Sequence, residues 1–367
     1  ATTHFLVGVE RNVTLVGTSN SVFVAAMGSG DIVNTGHTGQ VNFSSPSDIG
    51  AGFDQWTWST FSNGMAFIAD QVTFSQGGDQ TVKAALASDT NICGITEVFV
   101  AGGGNYYFVN QHVGSDTNGG MSKATAWKTI GRAMAGRSPK DVVVVAPGAY
   151  SESLTAGASG SVGQWITFLA DRDGLFFGKR GPVLVEPGAG DGFDLNSQWH
   201  IAVCGFRIYS PPGSGGYGIR GAGNGIRLYD NEIGNKETGI YLDGGSDPVL
   251  FRNIVTGCST NGIWINNTAD NMRMTDNTVS ECGLGLNVYS AATNIWITDN
   301  LFYHCTNGVY LEASVEQFAF NDIRENSGYG LKLKFSMAQV NVRNNIFLKN
   351  VGTAILVDNA DPACTIV

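Results

Sequence analysis

The stretch NIVTGCSTNGIWI at residues 253–265 returns as NTVSECGLGLNV at 277–288 and as NLFYHCTNGVYL at 300–311. Each copy opens on an asparagine, carries a cysteine five residues later, and then a glycine followed by an aliphatic residue. With the asparagine as anchor the series extends to Asn231, Asn253, Asn277, Asn300, Asn321 and Asn345, at spacings of 22, 24, 23, 21 and 24 residues. A run of period two precedes each anchor (IRLYDN, VLFRN, MRMTDN, IWITDN, FAFND, VNVRNN), and a second follows it (GIYL, GIWI, GLNV, GVYL, GLKL, AILV). Alternation marks half-buried strands, and a short third strand fits just after each asparagine.

A unit of about 23 residues with three short strands cannot bury its inward face alone, so the copies must stack. Three strands per turn build a parallel β-helix. The alternation places Ile226 with Leu228, Val249 with Phe251, Met272 with Met274, Ile295 with Ile297, Phe318 with Phe320 and Val340 with Val342 in the lumen. Asparagine tolerates left-handed backbone and bonds nearby amides, so an asparagine at every turn stacks into a hydrogen-bonded ladder. Cys258, Cys282 and Cys305 form a second column, continued by Asn326 and Asn350.

Composition bounds the rest. The chain has 367 residues, 43% of them apolar, enough to bury a core without staples. No run approaches the 18 apolar residues of a membrane helix, and the start ATTHFLVGVERN lacks the pattern of a secretory signal. Loss of an initiator methionine accounts for an Ala-Thr-Thr start, so a protein made and used without secretion is expected. A formal net charge of −10 with only 14% charged residues argues against a nucleic-acid partner. Three of the six cysteines share one repeat position, so free thiols packed as small hydrophobes are expected rather than a disulfide framework. His4, His37, His112, His200 and His304 are scattered, and neither a metal site, a cofactor nor a triad is read from them.

Upstream, VNQHVGSDTNGGMSKATAWKTIGRAMAGRSPKDVVVVAPGAYSESL (residues 109–154) resembles the opening segment of right-handed β-helix proteins of the pectate-lyase-like superfamily. In those families a GsD…kTI..A segment leads to a short helix that caps the first coil. Here Trp127, Ile130, Ala133 and Met134 fall at helical spacing within Thr125 to Ala135. The resemblance covers residues 105–367 and implies an all-β chain, a right-handed parallel β-helix of about 23-residue coils. Residues 1–104 carry strand-like runs such as SVFVAAM and EVFVAGGG without that period, and read as a separate, small β-rich N-terminal domain. A β-domain ahead of a β-helix resembles phage tailspikes, in which the first domain attaches to a particle.

The carboxylates are weighed coil by coil. Asp230, Asp276 and Asp299 each precede an anchor and read as turn residues. Loops between the two long strands carry Asp243, Asp247, Asp270, Glu312, Glu316, Asp358 and Asp361. Neighbouring coils lie about 5 Å apart, next-nearest about 10 Å, bracketing the separations used in glycoside cleavage. Asp247 with Asp270 is the nearest catalytic pair; were they merely loop acids, their removal is expected to leave stability nearly intact. Arg252 lies close to Asp247 in sequence. No acidic cluster of the pectate lyase type is present.

An outward column of Tyr241, Trp264, Asn287, Tyr310 and Lys332 follows the glycine-aliphatic pairs, and Trp296 lies beside Arg273 on another strand. Aromatic rings on a flat sheet stack on sugars or on a second subunit, and Leu250 is expected to join this exposed surface. The reading is a virion-associated protein, tailspike-like or capsid-surface, assembled in the host cytoplasm. It is a homotrimer that meets other virion proteins through residues 1–104, binds host polysaccharide and has no membrane partner. The alternative is a secreted polysaccharide lyase or glycoside hydrolase of the same superfamily.

Overall fold

The computed structural model describes all residues except 268, 290–292, 335–339, 359–364 and 367. The chain divides into two compact units: 1–105 with 163–165, and 106–162 with 166–367. The first unit holds two mainly antiparallel sheets, of four and five strands, around Val22, Val24, Phe43, Val72, Phe74 and Val82. Two of its longest pairings are Ser19–Met27 with Met65–Thr73 and Gly78–Leu86 with Asp89–Ala101.

The second unit is a right-handed parallel β-helix. Among the described residues its three parallel sheets contain eleven, nine and nine strands, and strands from successive coils are hydrogen-bonded in every sheet. The coil around Asn253 shows the plan. Val249–Phe251 lies in the first sheet, Ile254–Thr256 in the second and Asn261–Asn266 in the third. Pairing is in register, so Leu228, Leu250, Met274 and Ile297 stack in one luminal column. Burying each such side chain contributes about 1.5–3 kcal/mol.

At the first coil, Ile130–Met134 forms the capping helix, shorter than the Thr125–Ala135 spacing predicts. The Glu152 carboxylate accepts from Ile130 N (3.0 Å) and Gly131 N (2.8 Å), and the Thr129 side chain accepts from Arg132 N. Trp127 precedes the helix, buried, its ring stacked on Tyr107 at 5.2 Å.

Leu250 is fully buried, whereas Phe320 is 52% exposed and Phe251 half-buried. The two expectations fail for different reasons. Alternation alone does not say where a short run begins, and VLFRN is short by one residue, whereas Phe318 lies inward as expected and Phe320 falls in the corner beyond the strand Val315–Ala319. Counted back from the asparagine, the luminal residue is always at minus three: Leu228, Leu250, Met274, Ile297, Phe318 and Val342. Nor is the anchor asparagine itself left-handed. The residue before it is, with φ of 54° at Asp230, 55° at Arg252, 56° at Asp276, 59° at Asp299, 59° at Phe320 and 53° at Asn344. That reversal turns the corner and aims the asparagine inward.

The ladder runs as read from the sequence. Asn277 Oδ1 accepts from both N and Nδ2 of Asn253 (2.9 Å each), and Asn277 Nδ2 donates to Leu250 O (2.9 Å) and Asn300 Oδ1 (3.0 Å). The same bonds link Asn231 to Asn253 and Asn300 through Asn321 to Asn345. Four residues after each anchor a second left-handed residue occurs, as at Asn235, Gly257, Glu281 and His304. The side chain that follows it turns inward too. This second column holds Lys236, then Cys258, Cys282 and Cys305, all buried and the cysteines unbridged, then Asn326 and Asn350.

The glycine that accompanies each cysteine now has its reason. A Cβ on Gly262 would stand 2.7 Å from Gly285 O and 3.3 Å from Cys282 Sγ; on Gly285 it would stand 2.6 Å from Gly308 O and 3.5 Å from Cys305 Sγ. Only glycine lets the backbone of one coil approach the thiol and carbonyl of the next.

Lys236, at the head of the thiol column, escaped the sequence reading. Its ammonium donates to Gly190 O (2.7 Å), Ser210 Oγ (3.1 Å) and Gly188 O (3.3 Å), and burial lowers its pKa.

A second buried cation changes the role of Asp247. The Arg227 side chain is 2% exposed, and its Nη2 donates to Asp247 Oδ2 at 2.6 Å, while Nη1 donates to Asp247 O. Asp247 is therefore no free loop acid, contrary to expectation. Asp270 lies on the adjacent coil, its carbonyl accepting from Asp247 N, but its carboxylate accepts from Thr293 N (2.7 Å) and Thr293 Oγ1 (3.1 Å).

Two substitutions test this framework by chemical denaturation. Asn277→Ala strands the amide donors of Asn253 and the carbonyl of Leu250, and is expected to cost about 3 kcal/mol, against under about 0.5 kcal/mol for exposed Glu316→Ala. Asp247→Asn removes the carboxylate that faces buried Arg227; because Asp247 is itself half-exposed, a loss of about 1–2 kcal/mol is expected.

Candidate functional site

The third sheet has the longest strands of the repeats, including Thr238–Asp243, Asn261–Asn266, Leu284–Tyr289 and Asn307–Glu312. Its inward residues fill the lumen, so period two turns the alternate residues to solvent as columns. In register these run Arg220, Tyr241, Trp264, Asn287, Tyr310 and Lys332. Two residues along, a second column runs Asp243, Asn266, Tyr289 and Glu312.

The rings pack on one another. Tyr217 stacks on Tyr241 at 4.9 Å with planes 19° apart, and Tyr241 meets Trp264 at 4.8 Å with planes 51° apart. All three are half-buried, and Tyr289 is 54% exposed. Burial raises the Tyr241 pKa; burial, then the Glu312 carboxylate that accepts its hydroxyl at 2.6 Å, raises that of Tyr310. Both phenols stay neutral donors at physiological pH.

Charged groups frame the aromatic strip. At one end Arg220 pairs with Asp194 (2.7 Å) and Asp191 (2.9 Å), bonds that raise its pKa. Asp194, Asn196, Ser197, Arg220, Tyr241 and Asp243 line an open hollow of about 200 Å³ there. Asp243 accepts from the Asn266 amide at 3.0 Å and from Asn267. At the other end Lys332 pairs with Asp358 (3.4 Å) and Lys334 with Glu312 (3.3 Å).

Other sequence candidates lie elsewhere. Arg273 and Trp296 face each other in register on the first sheet, Trp296 41% exposed and its Nε1 donating to Asn294 Oδ1. Asp247 and Asp270 belong to the turns already described. Arg252 pairs with Asp230 (3.2 Å) rather than with its sequence neighbour Asp247. Asp361 lies outside the described residues. Tyr217, Arg220, Asp191 and Asp194 were missed because their coils precede the asparagine series; the glycine-isoleucine pair at 218–219 was the available signal.

Comparison with known proteins adds the following. The family model described as "Right handed beta helix region" matches residues 216–367, and that described as "Protein of unknown function (DUF1565)" matches residues 112–157. No curated protein matches the chain. Among solved structures, a GH136 lacto-N-biosidase from Eubacterium ramulus is similar at 11% identity over 72% of this chain and 68% of its own, with a TM-score of 0.44. A rhamnogalacturonan lyase is similar at 13% identity over 72% of this chain and 87% of its own, with a TM-score of 0.49. An alginate lyase from Paenibacillus sp. str. FPU-7 is similar at 14% identity, covering 59% of this chain and 93% of its own, with a TM-score of 0.37.

Proposed function

We propose that the chain is a recognition protein that binds extended polysaccharide along the outer face of the third sheet. The observation that carries this reading is the contiguous Tyr217, Tyr241 and Trp264 strip on a flat, in-register sheet. Apolar ring faces stack on the C–H faces of sugars, and the polar groups around them set orientation. Binding without cleavage is favoured because Asp194 and Glu312, which flank the strip, are each held by a cation.

A second reading, a homotrimer of the virion-surface kind, draws support from Phe320. This ring is 52% exposed at a left-handed corner where the other coils place Asp, Asn or, once, Arg252, a strained choice for a bulky side chain. Trp296, Ile346 and Leu348 are exposed as well. Burial against a second subunit would repay that exposure.

Two measurements test these readings. Trp264→Ala is expected to weaken retardation in a polysaccharide-containing native gel by about tenfold in affinity, with unfolding unchanged; equal retardation of the variant would refute the strip as the site. Sedimentation equilibrium is expected to give three chain masses, reduced by Phe320→Asp; a monomeric wild type would end the trimer reading.

A further inference from the structure

The chemistry of the same face narrows the ligand, an inference that rests on the binding reading above. We infer that the polysaccharide is uncharged and hydroxyl-rich, and is not a polyuronate or other polyanion. Two independent observations lead there.

The first is electrostatic. A polyanion needs cations free to meet its carboxylates, preferably guanidinium groups in bidentate contact. Here Arg220 is committed to Asp191 and Asp194, Lys332 to Asp358 and Lys334 to Glu312. Asp243 adds a carboxylate that accepts from the amides of Asn266 and Asn267. The face therefore carries more carboxylate than cation. A polyuronate laid on it would break ion pairs already formed and meet uncompensated negative charge.

The second is a mismatch in hydrogen bonding. Trp264 Nε1 and Asn287 Oδ1 are both shielded from solvent and have no hydrogen-bond partner, although the two residues are register neighbours on adjacent coils. One is a donor only and the other an acceptor. Each orphan leaves the desolvation of a polar group uncompensated. A hydroxyl accepts and donates at once, so a single sugar hydroxyl satisfies both once the two side chains turn outward to meet it and uncover Trp264 Nε1 and Asn287 Oδ1. A carboxylate accepts only and leaves Asn287 Oδ1 unpaired.

The two observations agree on where each part of the chain lies. Sugar rings cover Tyr217, Tyr241 and Trp264 along the solenoid axis. A terminal or branching sugar occupies the hollow beside Asp194 and Asp243, whose carboxylates accept hydroxyl protons. The Trp264 to Asn287 step receives one hydroxyl.

The test is affinity electrophoresis of the full chain in gels cast with a neutral β-glucan, xylan or galactomannan, and in parallel with alginate or polygalacturonate. Retardation is expected by at least one neutral polymer. It should change less than about twofold between about 50 and about 500 mM NaCl, since no ion pairs with the ligand are screened. Asn287→Leu should weaken it by about fivefold or more, with denaturation midpoints as the check that the variant is folded. Retardation by a polyuronate that is lost in Trp264→Ala would overturn the uncharged class while leaving the aromatic strip as the site. Retardation by none of the polymers, or retardation indifferent to Trp264→Ala, would overturn the binding reading and this inference with it. Full neutral-polymer binding by Asn287→Leu would refute the hydroxyl bridge.

Discussion

In-register parallel pairing between coils, at the strand spacing of about 4.8 Å, is the constraint on which this molecule depends. Once coil two lies on coil one without a slip, every position becomes a column. A column must be able to stand on copies of itself. Inside, that admits aliphatic side chains, thiols, and amides that donate to one neighbour and accept from the other. It excludes an unpaired charge. Lys236 and Arg227 meet the exclusion in different ways, the first by collecting backbone and hydroxyl oxygens, the second by drawing a loop carboxylate over itself.

The same rule makes the exterior. The lumen has no use for the outward half of each strand, so those positions are free to vary, and whatever they carry is displayed at fixed intervals. On the third sheet they carry rings, amides and balanced ion pairs. The flat strip is a consequence of register first and of residue choice second. The strand length matters too: six-residue strands give two outward columns side by side, whereas the three-residue strands of the second sheet, such as Ile254–Thr256, offer little width.

Much of this was legible in the amino-acid sequence because the solenoid writes its period directly into the chain. Six asparagines at near-constant spacing, with a cysteine and a glycine keeping step, are the projection of three columns. The face that carries Tyr241, Trp264 and Tyr310 followed from counting. What escaped has physical causes. The inward position of the Leu250 coil was misassigned because a short alternating run does not state its own phase; only the distance to the asparagine does. Phe320 was misplaced because alternation was carried past the end of its strand into the corner. Asp247 was misjudged because its partner, Arg227, lies twenty residues away across a turn, and no local pattern announces a buried guanidinium. Asp194 and Arg220 were passed over because the coils nearest the cap lack the asparagine that made the others visible.

Lys236 sits where those two kinds of coil meet. Below it the column runs through three cysteines and then two asparagines; above it, the corresponding corner offers the carbonyls of Gly188 and Gly190 and the hydroxyl of Ser210. The long flexible stem reaches across that discontinuity as a splice between two segments of unlike cross-section. In a solenoid each coil contacts only its neighbours. The C-terminal coils, which repeat one pattern, therefore meet the unlike N-terminal coils through this single lysine in the column. A change in the number of repeating coils would alter the length of the displayed face without altering the bonds that Lys236 makes to Gly188, Gly190 and Ser210.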